Sequence, residues 1–149
     1  MYNRKSVSLE VAKIGVEAAI QEASKNPDMP MAVAVVDDHG ELICLERMDG
    51  AQKLYADMAY RKALTAAQFR RDTREFCEFL MGKGISLTDG WGPPYTVVPG
   101  GLPIAKDGTP PFSVEVYGAI GASGRYRDED ERIAKAGLKA IKNALWPSE

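Results

Sequence analysis

The chain has 149 residues, of which 45% are hydrophobic and 27% charged, and its formal net charge is −2. This length suits one domain with one core, and a near-neutral charge without a basic face argues against nucleic acid or an anionic membrane as a partner. The N-terminus leads into an amphipathic pattern, and no window is apolar enough for a membrane span, so we expect a cytoplasmic protein.

The first elements predicted along the chain are a helix and a β-hairpin. Small and apolar residues recur at helical spacing over residues 8–25. A nearly continuous apolar run over 31–37 predicts a central strand covered on both faces. The turn residues Asp38-His39-Gly40 join this strand to a second one over 41–47.

Two helices are predicted next. The first covers residues 54–71 and carries alanines on one face, which allows a close approach to a sheet. The second begins at Asp72-Thr73-Arg74-Glu75, which has the spacing of a capping box, and ends at Gly82-Lys83-Gly84. The order of elements so far favours an α+β fold.

Glycine and proline dominate the third quarter of the chain. Residues 85–111 predict a long irregular loop, and such loops are often functional. A strand over 113–123 and a last helix over 128–146 follow. The glycines of 99–104 and 118–124 stand where strands ordinarily carry side chains, which predicts either close helix packing with a tight bend or a backbone in contact with a ligand or second subunit.

Six short motifs in a fixed order resemble a known family. They run between about residues 8 and 145 and are V-V-D-x-x-G, R-M-D-G-A, K-A-x-T-A, P-G-G-x-P-I, G-A-I-G-x-S-G and D-x-x-I-A-x-A-G. Their order is similar to that of the GlcG/HbpS family, also called the haem-degrading domain family. The resemblance implies one profilin-like domain with an antiparallel sheet flanked by helices in the order α-β-β-α-α-β-β-α. It also implies assembly into homo-oligomers.

The first functional hypothesis is a small-molecule-binding protein whose ligand is haem or another tetrapyrrole, as the resemblance implies. Trp91, Tyr95 and Tyr117 are its candidate aromatic contacts, near strands whose glycines include Gly100 and Gly101. A purely structural role of these glycines in oligomer packing is a further alternative.

The second hypothesis is a lyase or isomerase that acts on a carboxylated aromatic compound or an organic acid. Glu115 shares a strand face with Tyr117 and is the first candidate for acid–base catalysis, although a water-facing carboxylate explains it equally well. Lys62 is the second candidate, with a solvated amine as the alternative. The chain departs from the family pattern here, because nine residues follow Asp107-Gly108 before Gly118.

Two arginines are candidates for binding an anionic group of the ligand. Arg47 offers a planar fork that matches a carboxylate, or it pairs with Asp49 or Asp57. Arg125 lies just before the last helix, where it either helps to bind an anion or is a solvated linker charge.

The residues that ordinarily bind metals are few. His39 is predicted to face solvent in a turn, which makes it a poor haem ligand. A tyrosine, a carboxylate, a methionine or hydrophobic stacking would then hold the haem, and Tyr95 and Tyr117 are the phenols to test first. Cys44 and Cys77 lack metal-ligand spacing and are predicted to be buried free thiols. The sequence predicts no dedicated metal site.

Overall fold

A four-stranded antiparallel sheet between two helical layers organises the chain in the computed structural model, which describes residues 1–106, 108 and 111–147. The elements are α1 Leu9–Ala23, β1 Ala32–Asp37, β2 Leu42–Arg47, α2 Lys53–Phe69, α3 Thr73–Lys83, α4 Leu87–Gly90, β3 Gly101–Ala105, β4 Val116–Ser123 and α5 Arg127–Leu145. The predicted fold class and order are confirmed. The single turn α4 is an addition within the predicted loop.

The sheet has the strand order β2-β1-β4-β3. Helices α1 and α5 cover one face, and α2 covers the other. Because strand side chains alternate, Val33 and Ile120 enter the core under α1 and α5, whereas Ala34 and Ala119 meet the side of α2. Strand β1 is central and buried along most of its length, as predicted.

Helix α2 lies very close to the sheet because glycines face it. A Cβ atom on Gly121 would lie 2.2 Å from the carbonyl oxygen of Ala59, and one on Gly101 would lie 2.2 Å from that of Lys62. Both distances are far below van der Waals contact. Of the two predicted roles for these glycines, close helix packing is the one that the structure supports.

Strand β4 begins later than predicted. It starts at Val116 rather than at residue 113, because its partner β3 ends at Ala105. One further backbone hydrogen bond, from Lys106 N to the Glu115 carbonyl at 3.0 Å, extends the pairing. Asp107, part of the predicted turn, lies outside the described residues.

Helix α3 begins at the predicted place but without the predicted capping bond. The side chain of Asp72, its N-cap residue, accepts no capping hydrogen bond. The hydroxyl of Thr73 instead accepts a hydrogen bond from Gly101 N at 3.1 Å, which ties the start of α3 to β3. The helix start is therefore fixed to the sheet by the residue after the cap.

Asp72 is expected to make stability depend on pH. Its half-buried carboxyl has a pKa raised to about 6, because burial disfavours the charged form and Glu75 and Glu131 add like charge. The stability contributed by this group is complete below its ordinary pKa and is lost as the pH rises through about 6. Asp72→Asn should therefore raise the free energy of unfolding at about pH 7.5 and change it little at about pH 4.

Urea denaturation at both pH values measures this difference, with the exposed Asp28→Asn as the matched control. An equal effect of Asp72→Asn at the two pH values contradicts the assignment.

Candidate functional site

Two surface cavities lie beside the start of β4. Their volumes are about 440 and 430 Å³, and Arg4, Lys5 and Tyr117 line both. We refer to the two together as the Tyr117 groove. The first is also lined by His39, Arg70, Phe112 and Glu115, and the second by Lys106 and Trp146.

The N-terminal strap, residues 2–7, runs through the Tyr117 groove. Val7 N donates to the Tyr117 carbonyl at 2.9 Å, and the Ser6 hydroxyl accepts from Asp38 N at 3.3 Å. Arg4 Nε lies 3.3 Å from the Asp38 carboxylate. These contacts attach the strap both to β4 and to the turn between β1 and β2.

Tyr117 and Glu115 form a polar pair in the first cavity of the groove. The Tyr117 hydroxyl donates a hydrogen bond to the Glu115 carboxylate. This bond raises the pKa of the phenol and lowers the pKa of Glu115, since it stabilises the neutral phenol beside a charged carboxylate. The Tyr117 ring is buried and lies 5.7 Å from the Trp146 ring. The two residues are together, as their spacing predicts.

His39 is exposed in its turn, as predicted, and it lines the same cavity as Tyr117. Asp37 fixes the turn, because its carboxylate accepts hydrogen bonds from His39 N at 2.8 Å and Glu41 N at 2.9 Å. Within the described part of the chain, the His39 imidazole forms no hydrogen bond. Its ring nitrogens are therefore available to a ligand in the groove.

Four cations line the Tyr117 groove, namely Arg4, Lys5, Arg70 and Lys106. The Arg70 guanidinium donates to the Val114 carbonyl at 3.4 Å, and the Lys106 ammonium lies 5.7 Å from the centroid of the Trp146 ring. The cations outnumber the groove's carboxylates, Asp38 and Glu115, so the lining carries a net positive charge.

Lys62 is buried rather than solvated or placed at a pocket edge, which corrects both expectations. Only 1% of it is exposed, and its ammonium donates to the Asp130 carboxylate at 2.8 Å and to the Ala122 carbonyl at 2.9 Å. Burial lowers the pKa of Lys62 and raises the pKa of Asp130, and the ion pair opposes both changes. Lys62 does not line the Tyr117 groove, so we do not propose a catalytic role for it.

Arg125 has a structural task instead of the predicted anion contact. Its guanidinium donates to the backbone carbonyls of Ala23 at 2.8 Å, Asn26 at 3.0 Å and Met29 at 3.0 Å. These carbonyls lie at and just beyond the C-terminal end of α1. The side chain therefore closes that helix end.

Arg47 and the glycines also lie outside the groove. Arg47 is exposed at the end of β2 and, among the described residues, forms no ion pair with Asp49 or Asp57. Gly100 and Gly101 are buried against the α2 residue Lys62. We therefore do not propose that they contact a ligand.

Trp91 and Tyr95 belong to an aromatic cluster away from the lining of the groove. Both rings lie 5.1 Å from the Phe69 ring, and the Tyr95 hydroxyl donates to the Gln68 side chain at 2.5 Å. The predicted trio of Trp91, Tyr95 and Tyr117 is therefore not a single site. Cys44 and Cys77 are free thiols, as predicted, but half-buried rather than buried.

Several groove residues were not predicted from sequence, namely Arg4, Lys5, Arg70, Lys106, Phe112 and Trp146. They come from segments far apart in the chain, and none belongs to a motif. The sequence feature that could have indicated the groove is the extra segment after Gly108, because Phe112, Glu115 and Tyr117 of that segment line it.

Two features are absent from the part of the chain that the structure describes. No group of three or more His, Cys, Asp or Glu side chains there is arranged to hold a metal ion. Likewise, none of the helices described is both long and apolar enough to cross a membrane.

The structure is a profilin-like α+β fold with a surface groove that is lined by cations and aromatic rings. A family model described as haem degrading protein HbpS-like matches residues 7–139. Protein GlcG of Escherichia coli K12 is 34% identical over 118 residues, which cover 78% of this chain and 81% of GlcG. The chain belongs to the GlcG/HbpS family.

Solved structures agree with this membership. A double mutant of HbpS from Streptomyces reticuli is 32% identical to this chain and superposes with a TM-score of 0.78. The match covers 93% of this chain and 89% of the HbpS chain. The PduOC chain of a haem complex is 24% identical to this chain, with a TM-score of 0.73. The match covers 91% of this chain and 94% of the PduOC chain. At that identity, the likeness to PduOC shows a shared fold.

Proposed function

We propose that this protein binds haem, or a closely similar tetrapyrrole, in the Tyr117 groove. The observation that carries the proposal is the meeting of aromatic rings, cations and a free imidazole in one place. The family name and the haem held by a protein of the same fold support the choice of ligand. Each cavity of the groove also has a volume within the range of about 300–1,000 Å³ that small-molecule sites occupy.

The groove offers chemistry for both parts of such a ligand. The rings of Tyr117, Trp146 and Phe112 present apolar surface to a flat macrocycle, and Phe112 is 93% exposed. The carboxylates of the macrocycle suit the groove's cations, because a guanidinium binds a carboxylate through two parallel hydrogen bonds.

We assign His39 to the iron, in place of the tyrosines proposed from sequence. Its exposure, which made it a poor candidate from sequence alone, is exposure at the groove whose first cavity it lines. A phenol must lose its proton to bind iron strongly, and the hydrogen bond to Glu115 raises the pKa of Tyr117. Tyr95 is held by Gln68 and does not line the groove. Bound haem would supply an iron that accepts an imidazole nitrogen, and His39 provides the groove's imidazole.

No observation favours a lyase or isomerase as a second function. Of the two proposed acid–base residues, Lys62 is buried against Asp130, and Glu115 already accepts a hydrogen bond from Tyr117. Assembly into homo-oligomers stays a prediction.

Replacing the proposed iron ligand is the experiment that tests this function. His39→Ala should lack the shifted Soret band of bound haem and should bind haem about tenfold more weakly. Added imidazole should restore the band. Tyr117→Phe should keep the band, because the phenol is not the ligand. Tyr95→Phe, a phenol outside the groove, is the matched control.

Absorbance titration with haemin gives both quantities. A band that survives in His39→Ala and disappears in Tyr117→Phe would transfer the ligand role to Tyr117. Survival in both variants would show that neither residue is the iron ligand.

A further inference from the structure

We infer that Arg4 receives a carboxylate of the ligand, and that Asp38 occupies this place on Arg4 in the free protein. The inference rests on the proposed function, because it concerns the same groove. It makes Arg4 the residue that selects ligands with free carboxylates.

The contact between Arg4 and Asp38 uses a small part of the guanidinium. Arg4 Nε lies 3.3 Å from the Asp38 carboxylate, and Arg4 forms no hydrogen bond with any other residue in the described ranges. A guanidinium has five N–H donors in a planar fork. Most of these donors therefore remain available, and 42% of the Arg4 side chain is exposed.

Arg4 lies where the two cavities of the groove meet the strap. It lies on the strap and lines both cavities. Lys5 shares this position, but an ammonium is a point charge without the fork that matches a carboxylate.

Asp38 resembles the ligand group that we assign to Arg4. Its side chain is 11% exposed, and it lines the same cavity as His39 and Tyr117. An incoming carboxylate is repelled by Asp38 and competes with it for the same guanidinium. Removing the charge of Asp38 should therefore strengthen binding, whereas removing the charge of Arg4 should weaken it.

The strap does not depend on the ion pair alone. Val7 N donates a hydrogen bond to the Tyr117 carbonyl, and the Ser6 hydroxyl accepts one from the backbone N–H of Asp38. Neither bond uses the Arg4 side chain or the Asp38 carboxyl, so we expect both to persist in variants of those groups. A change of affinity in those variants then reports on the ligand's charge rather than on loss of the strap.

The test compares haemin with haemin dimethyl ester, in which both carboxylates are blocked. For haemin, Arg4→Gln should weaken binding about tenfold, and Asp38→Asn should tighten it about threefold. For the ester, both variants should bind like the wild type. Arg61→Gln is the matched control, since Arg61 is exposed on α2 and does not line the groove.

Each outcome separates this inference from the proposed function. If the wild type binds haemin and Arg4→Gln binds it equally well, the role of Arg4 is wrong while the function stands. If Arg4→Gln and Asp38→Asn both weaken binding, or affect the ester as much as haemin, the pair only holds the strap. If the wild type does not bind haemin, both proposals fail.

Discussion

Lys62→Met is expected to lower the free energy of unfolding by about 3–5 kcal/mol. The substitution leaves the Asp130 carboxylate buried, with 3% of the residue exposed and without the ammonium that lies 2.8 Å away. An unpaired buried charge costs more than the ion pair contributes, because desolvation is no longer offset. Chemical denaturation followed by circular dichroism measures the loss.

Two further variants make this expectation specific. In Lys62→Met/Asp130→Asn the charge is gone, and asparagine can still accept the hydrogen bond from Arg125 N, so much of the stability should return. Lys13→Met, at an exposed position on α1, should change stability by less than about 0.5 kcal/mol. A loss below about 1 kcal/mol for Lys62→Met would show that the pair is not a stabilising feature of this interior.

Gly121→Ala is expected to cost about 3 kcal/mol. The added Cβ would lie 2.2 Å from the Ala59 carbonyl oxygen and 2.7 Å from Ala63 N. Both are backbone atoms of α2, so the helix must move away from the sheet along the line where the two pack. Thermal and chemical denaturation of the variant measure the cost.

Gly82→Ala is the matched control for this clash. Gly82 lies in α3, and an added Cβ there meets nothing within 4 Å. Alanine should stabilise that helix by about 0.5–1 kcal/mol. If Gly121→Ala is tolerated as well as Gly82→Ala, the close approach of α2 is not required by the fold.

The fold was predictable where local pattern decides it. The apolar run of β1 and the turn at His39 are short-range signals, and both lie where they were predicted. The start of β4 was not, because it depends on where its partner β3 ends. Strand pairing is a tertiary property, so a hydrophobic pattern alone does not fix such a boundary.

The site was predictable only in its most local part. Glu115 and Tyr117 are two residues apart, and strand alternation brings them together. Lys62 and Asp130 are separated by 68 positions, and no local pattern indicates that a lysine on an alanine-rich helix is buried. The turn residues around His39 correctly predicted that this side chain is exposed. The groove that His39 lines is completed by the N-terminal strap, whose Ser6 contacts Asp38 across 32 positions of sequence.

An equilibrium titration of the unaltered protein with haemin tests directly whether the Tyr117 groove binds haem. We expect a shifted Soret band that saturates at one haem per chain, with the fluorescence of Trp146 quenched over the same range, because Trp146 lines the Tyr117 groove. A titration that never saturates, or that leaves the tryptophan fluorescence unchanged, would contradict haem binding at this site.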